Sequence, residues 1–158
     1  MDRTNIDRYA AGGPLLIKAI ESLSESDLNA FPVPNTWSIR QIVIHLMDSD
    51  LIATHRMKRM VAEDKPLLIS YDETAFASNL CYDKMSVKLC CDLFALNRAH
   101  TTELLRAIPD DAFDRTGIHN QYGMITLGGT VENYARHLDH HMKFLRQKRE
   151  ILGKPLGD

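Results

Sequence analysis

TWSIRQIVIHLMDSD, residues 36–50, opens with a well-defined helix start. Ser38 followed three positions later by Gln41 fits a capping box, and Trp37 stands where it can pack on Ile42 as a hydrophobic staple. With His45 at zero and an advance of 100° per residue, Ile42 falls at about 60°, Ser49 at about 40°, Ile52 at about −20°, Ala53 at about 80° and Met60 at about 60°. An apolar arc of this width marks a helix with one face in a core. The helix is predicted to run from Ser38 to about Ala62, with His45 inside the arc.

Periodicity and its breakers give three further helices on either side. One spans about Thr4 to Leu23, with Leu15, Leu16, Ala19, Ile20 and Leu23 on its apolar face and a bend expected at Gly12, Gly13 and Pro14; it stops before the turn FPVPN. A second spans Ser86 to Ile108 on a stripe of Leu89, Leu93, Leu96, Leu104 and Leu105, ended by Pro109. A third spans about Thr126 to Leu152. Residues 63–85 form a connection long enough to let the helices on either side of it run parallel. The reading is all-α: a single-domain four-helix bundle with a long crossover between helices 2 and 3. Strand signals are confined to short pieces such as Met124 to Leu127, too little for a sheet.

At 158 residues the chain is the size of one domain and can bury a core without disulfides. A net charge of −2 with 25% charged residues leaves no basic footprint for nucleic acid or an anionic membrane. Cys81, Cys90 and Cys91 have no metal-ligand or disulfide spacing, which suits a reducing cytoplasm. No apolar stretch is long enough to span a bilayer. A cytoplasmic protein with a small-molecule substrate is the expectation, with neither nucleic acid nor membrane as partner.

The segment RHLDHHMKFL, residues 136–145, holds three of the seven histidines. With His137 at zero, His141 lies at about 40°, Tyr134 at about 60°, Leu145 at about 80° and Leu138 at about 100°, so both histidines face the apolar arc, while His140 sits at its edge near −60°. Lys148 and Arg149 also point into that sector, which suggests that the helix has left the bundle by then. An i, i+4 histidine pair can reach one ion from a single helix face. A core histidine satisfied by a carbonyl or water is the plain alternative. His45 on a second helix offers a third imidazole, and three without a fourth protein ligand would leave the open position that catalytic zinc keeps.

These segments resemble the DinB/YfiT-like superfamily of metal-binding four-helix bundles. The resemblance runs from TWSIRQIVIHLMDSD through HRMKRMVAEDKP (55–66), SYDETAFASNL (70–80) and PDDAFDRTGIH (109–119) to ENYARHLDHHMKFL (132–145). Trp37, His45 and Asp48, with His137 and His141, match the motif in which that family holds a divalent ion. The resemblance implies an up-down-down-up bundle, a homodimer, and zinc or nickel on His45, His137 and His141. It also implies either a metal-dependent hydrolase or a transferase acting on a low-molecular-weight thiol such as bacillithiol. Asp139 and Met142 depart from the small or polar residues common in the family, which touches the expected substrate wall.

Around the histidines, Asp48 is the expected general base or ligand-orienting group, against the alternative of a solvated carboxylate. Arg56, about 16 Å along the helix from His45, is expected to pair a buried carboxylate or to hold an anionic group of a long thiol co-substrate. Tyr71, with Asp72 and Glu73, lies in the crossover, either lining the site or forming a surface turn. His55 and His100 read as boundary residues, and His119 as either pocket or solvent. A non-catalytic, metal-stapled stress-response protein is the rival from another class, and DNA binding a third, disfavoured by the charge.

Overall fold

The structure, a computed structural model, describes residues 2–157. In chain order its elements are α1 (Thr4–Ile20), α2 (Glu25–Asn29), α3 (Ile39–Ala62), β1 (Leu67–Leu68), α4 (Glu73–Asn79), α5 (Val87–Ala107), β2 (Thr116–His119), β3 (Gly123–Thr126) and α6 (Leu127–Ile151), with two 3₁₀ turns at Tyr82–Lys84 and Asp110–Asp114. The four long helices are those expected, and Ser38, Ser86 and Thr126 are the N-caps of α3, α5 and α6. At Ser38 the box is complete: its hydroxyl accepts from Gln41 N at 3.2 Å while its own N–H donates to Gln41 Oε1 at 2.9 Å.

α1 and α3 are diagonal partners, each packed against both α5 and α6. Pairings along the chain fix the directions. Asp50 meets Arg98 and Thr54 meets Thr101, so α3 and α5 run parallel. Asp7 meets Arg106 while Tyr9 meets Arg98, so α1 and α5 oppose each other; His45 meets His137 while Met60 and Leu127 share one apolar cluster, so α3 and α6 oppose each other too. The bundle is up-down-down-up, and the crossover at 63–85 makes the parallel α3–α5 step.

Several expectations are corrected. The chain does form a small sheet, β1 parallel to β2 and β2 antiparallel to β3, which clamps the crossover to the loop before α6. Its strands are of two to four residues, too short for periodicity to register. On α5 the first part of the leucine stripe is the wrong face: Leu89, Leu93 and Leu96 are exposed while Leu105 is buried as expected, and the buried side also carries Cys90, Cys91, Phe94, Arg98, Thr101 and Thr102. Lys148 and Arg149 have not left the bundle. Both are buried, Lys148 Nζ donating to Thr36 Oγ1 at 2.6 Å and Arg149 Nη1 to the carbonyls of Ala19 and Glu21, both at 3.0 Å. Those carbonyls close α1, so the Arg149 charge is satisfied by a helix end and the Lys148 charge by a side-chain hydroxyl.

At the centre, Arg98 and Asp50 form a buried ion pair at 2.9 Å. The guanidinium lies between the rings of Tyr9 and Phe94 and donates to the carbonyls of Tyr9 and Tyr134. Gly12 and Gly13 serve this layer, with α1 unbroken through them. A Cβ at Gly12 would stand 2.2 Å from Arg98 Nη1 and 2.6 Å from Leu138 Cδ2, and one at Gly13 would stand 2.9 Å from Ala95 Cα. Overpacking of this kind costs about 1–3 kcal/mol. Gly12→Ala is expected to lower stability by at least that amount in urea unfolding despite the better helix propensity of alanine; an unchanged or raised midpoint would contradict the packing described.

Candidate metal centre

α3 and α6 bring His45, His137 and His141 together across the bundle. His137 Nε2 lies 3.3 Å from His45 Nε2 and 3.1 Å from His141 Nε2, and the three donor atoms all fall within 4.8 Å of one another. Two imidazole nitrogens about 2.1 Å from one ion at a tetrahedral angle stand about 3.4 Å apart. The donor set therefore fits a divalent ion. On the far side of the rings, Nδ1 of His45 and of His141 are buried with no hydrogen-bond partner among the described residues, so no protein acceptor fixes the tautomer. Where Nδ1 keeps the proton, Nε2 lone pairs converge, an arrangement that a cation relieves.

Trp37 walls the cluster, its ring 4.8 Å from that of His45 and stacked at 6.4 Å on His141. Burial pulls the pKa of His45 down to about 4 and those of His137 and His141 to about 3; for the latter two, neighbouring positive charge adds to the effect. All three are neutral at pH 7, the state a ligand needs.

This has a consequence for pH. A histidine held neutral by the fold binds its proton less readily than in the unfolded chain, so between about pH 6.5 and pH 4 the unfolded state holds more protons. The metal-free protein is expected to keep full stability above about pH 6.5 and lose it progressively as the pH falls to 4, by more than about 10 °C in Tm. A flat Tm over that range would contradict neutral, buried imidazoles.

The other residues singled out in the sequence have varied surroundings. Asp48 Oδ2 accepts from the Tyr82 hydroxyl at 2.5 Å, and burial raises its carboxyl pKa while that hydrogen bond lowers it. Arg56 has no carboxylate partner among the described residues; Nη2 donates to Ile69 O at 2.5 Å and Nε is unpartnered, so the expected ion pair is not formed. Tyr71 is half-buried against Phe76, its hydroxyl pKa pushed up to about 12, mainly by burial. Asp139 turns outward to Arg8 at 2.8 Å and Met142 is core, so neither forms a substrate wall. His55, His100 and His140 are exposed.

Sequence reading gave too little weight to two residues. Glu73, in the first turn of α4, puts Oε2 3.8 Å from His45 Nε2, making it the carboxylate that reaches the imidazoles. His119 is 3% exposed, carried inward by the alternation along β2, a period-two signal present in TGIH. Beside the cluster, a cavity of about 1110 Å³ is lined by residues including Ser49, Arg56, Tyr71, Glu73, His119 and His137.

A four-helix bundle of this connectivity, with three histidines from two facing helices beside a cavity, defines a class of proteins suited to holding a divalent ion. The chain belongs to the DinB superfamily, whose family model matches residues 9–145. It is 29% identical over 141 residues to "Putative metal-dependent hydrolase YfiT" of Bacillus subtilis, covering 87% of this chain and 78% of that one. It is 28% identical over 128 residues to a protein of the same description from Oceanobacillus iheyensis, covering 81% of this chain and 74% of that one. The solved structure of the Bacillus subtilis YfiT, described as a probable metal-dependent hydrolase with an unusual four-helix bundle topology, superposes with a TM-score of 0.89 at 26% identity, over 95% of this chain and 86% of that one. No helix among the described residues is long and apolar enough to cross a membrane.

Proposed function

We propose that this chain is a metal-dependent enzyme in which His45, His137 and His141 hold one zinc or nickel ion, and that its reaction is transfer of a low-molecular-weight thiol to an electrophile or hydrolysis by water. The convergence of three Nε2 atoms at 3.1 and 3.3 Å, that of His45 buried and those of His137 and His141 half-buried, carries this reading. When bound, such an ion supplies a Lewis-acid position that lowers the pKa of a thiol or water. The chain's own residues do the rest. Trp37 excludes water from one side of the imidazoles. To Asp48 we assign proton transfer: its raised pKa brings the carboxyl closer to the pH at which it must exchange a proton, and the hydrogen bond from Tyr82 holds one oxygen in place. Tyr71, kept as a phenol by burial, lines the cavity as a donor.

Zinc- or nickel-restored protein would be assayed with a panel of small thiols and a chloro-substituted electrophile, and in parallel with ester and amide substrates. A metal-dependent rate in one arm is expected. Asp48→Asn should lower that rate by about 10²–10⁴-fold, the usual contribution of a positioned acid or base, with metal content retained. Rates no higher than those of metal-free protein in both arms would favour the rival reading, an ion that only staples the bundle.

A further inference from the structure

The cavity that opens beside His137 continues along α3 towards Arg56. Ser49 and Arg56 both line it, and their seven-residue separation is about 10 Å along the helix axis. The far end collects positive potential from three independent sources. Arg56 is 9% exposed, has no carboxylate partner among the described residues, and leaves Nε unpartnered. A buried cation without a counter-charge is costly unless something neutralises it. His119 is the second source. Its Nδ1 accepts from Gln121 N at 3.2 Å, which leaves the proton on Nε2 and makes that atom a donor. The third is the start of α6, a helix of 25 residues whose first turn contributes Gly129 and Thr130 to the same cavity wall; the Gly129 N–H is taken by Thr126 Oγ1 at 3.0 Å, so this end acts through the positive pole of the helix dipole, which favours an anion.

The two acidic residues on the wall, Asp72 and Glu73, are engaged with groups other than Arg56. Glu73 lies at the other end, by His45. The Asp72 carboxylate is engaged in capping α4, accepting from Ala75 N at 2.9 Å. Arg56 is close enough to Tyr134 and His119 to perturb both, and the Tyr134 ring is 5.7 Å from that of His137. One continuous wall thus links the candidate metal centre to the cationic end.

We infer that the substrate is a small molecule carrying a carboxylate, held at the cavity's far end by Arg56, His119 and the α6 N-terminus, roughly 16 Å along α3 from His45, where the other end of the molecule reacts. The planar fork of an arginine matches a carboxylate in geometry as well as charge. This inference rests on the reading that the cavity beside the histidines is the substrate pocket, but it needs no metal to be tested.

The test is a titration of isotope-labelled, metal-free protein with butyrate, with butyramide and inorganic phosphate as parallel arms, followed through the amide resonances of Gly129 and Thr130 and the arginine Nε–H signals. Butyrate should give saturable shifts at these positions and butyramide, the uncharged counterpart, none at the same concentrations. Arg56→Gln should weaken butyrate at least tenfold. Because Arg56 also holds the Ile69 carbonyl, His119→Phe serves as a second variant that leaves that contact alone, with a several-fold loss expected. His141→Ala, which removes a metal ligand, should bind butyrate as wild type does, so failure of the metal reading and failure of this one are separable. Equal binding of butyramide, wild-type affinity in both Arg56→Gln and His119→Phe, or a preference for phosphate would overturn the carboxylate assignment.

Discussion

His141→Ala will fold, and it will lose its divalent ion. Residues that merely orient metal ligands account for about 10–100-fold in affinity, so removing one of three imidazoles should cost more than about 100-fold. The fold does not depend on that imidazole. Two apolar clusters, one around Leu16, Ile42, Phe94 and Leu138 and the other around Met57, Met60, Leu127 and Val131, flank the histidines and bury their side chains without them. In the metal-free state the His141 ring is a liability, since its buried Nδ1 has no partner and an unsatisfied buried polar atom costs about 1–3 kcal/mol. Metal-free His141→Ala should therefore melt no lower than metal-free wild type, while added zinc or nickel should raise the Tm of wild type alone. Elemental analysis and paired melting curves read both effects. A variant that unfolds with or without metal would mean that His141 is a core residue first.

The second large effect belongs to the Asp50–Arg98 pair. Both side chains are 1% exposed, and Arg98 ties α5 to α3 through the carboxylate, to α1 through Tyr9 O and to α6 through Tyr134 O. Removing one member of such a pair leaves the other charge buried and costs about 3–5 kcal/mol. Asp50→Ala should lower the denaturant midpoint accordingly and also leave the Tyr9 hydroxyl without the Oδ2 it bonds at 3.1 Å, while Asn97 loses one of three acceptors and keeps Asp50 O and Thr54 Oγ1. Tyr134 is one turn before His137 on α6, so the loss should also weaken metal binding, by less than the loss of His141 does. Loss of stability below about 1 kcal/mol would show the network to be dispensable.

These two sites differ in how legible they were in the sequence. The helix starts were readable because Ser38, Ser86 and Thr126 cap in the local way their side chains allow, and the histidine faces because three imidazoles interrupted arcs that were otherwise apolar. The length of the 63–85 crossover already allowed helices 2 and 3 to run parallel, and the full up-down-down-up order came from the family resemblance, since periodicity fixes faces but not which helices are neighbours. What was misread was the polar interior. Lys148 and Arg149 were expected on a helix that had left the bundle and Arg98 was not singled out, yet each is satisfied by partners from distant segments: Thr36, the carbonyls that end α1, and Asp50. The same blindness put Leu89, Leu93 and Leu96 in the core, because α5 buries a face whose polar groups are paired across the bundle. Glu73 and Arg56 depend on where the crossover lies, which only the small sheet decides.

The measurement that bears most directly on the central claim is anomalous diffraction at the metal edge from crystals of the zinc- or nickel-loaded protein. A single peak within bonding distance of Nε2 of His45, His137 and His141, about 2.0–2.1 Å for zinc, with at least one position not filled by the protein, is the result predicted. No peak among these three histidines under saturating metal, or a fourth protein ligand that closes the site, would contradict it.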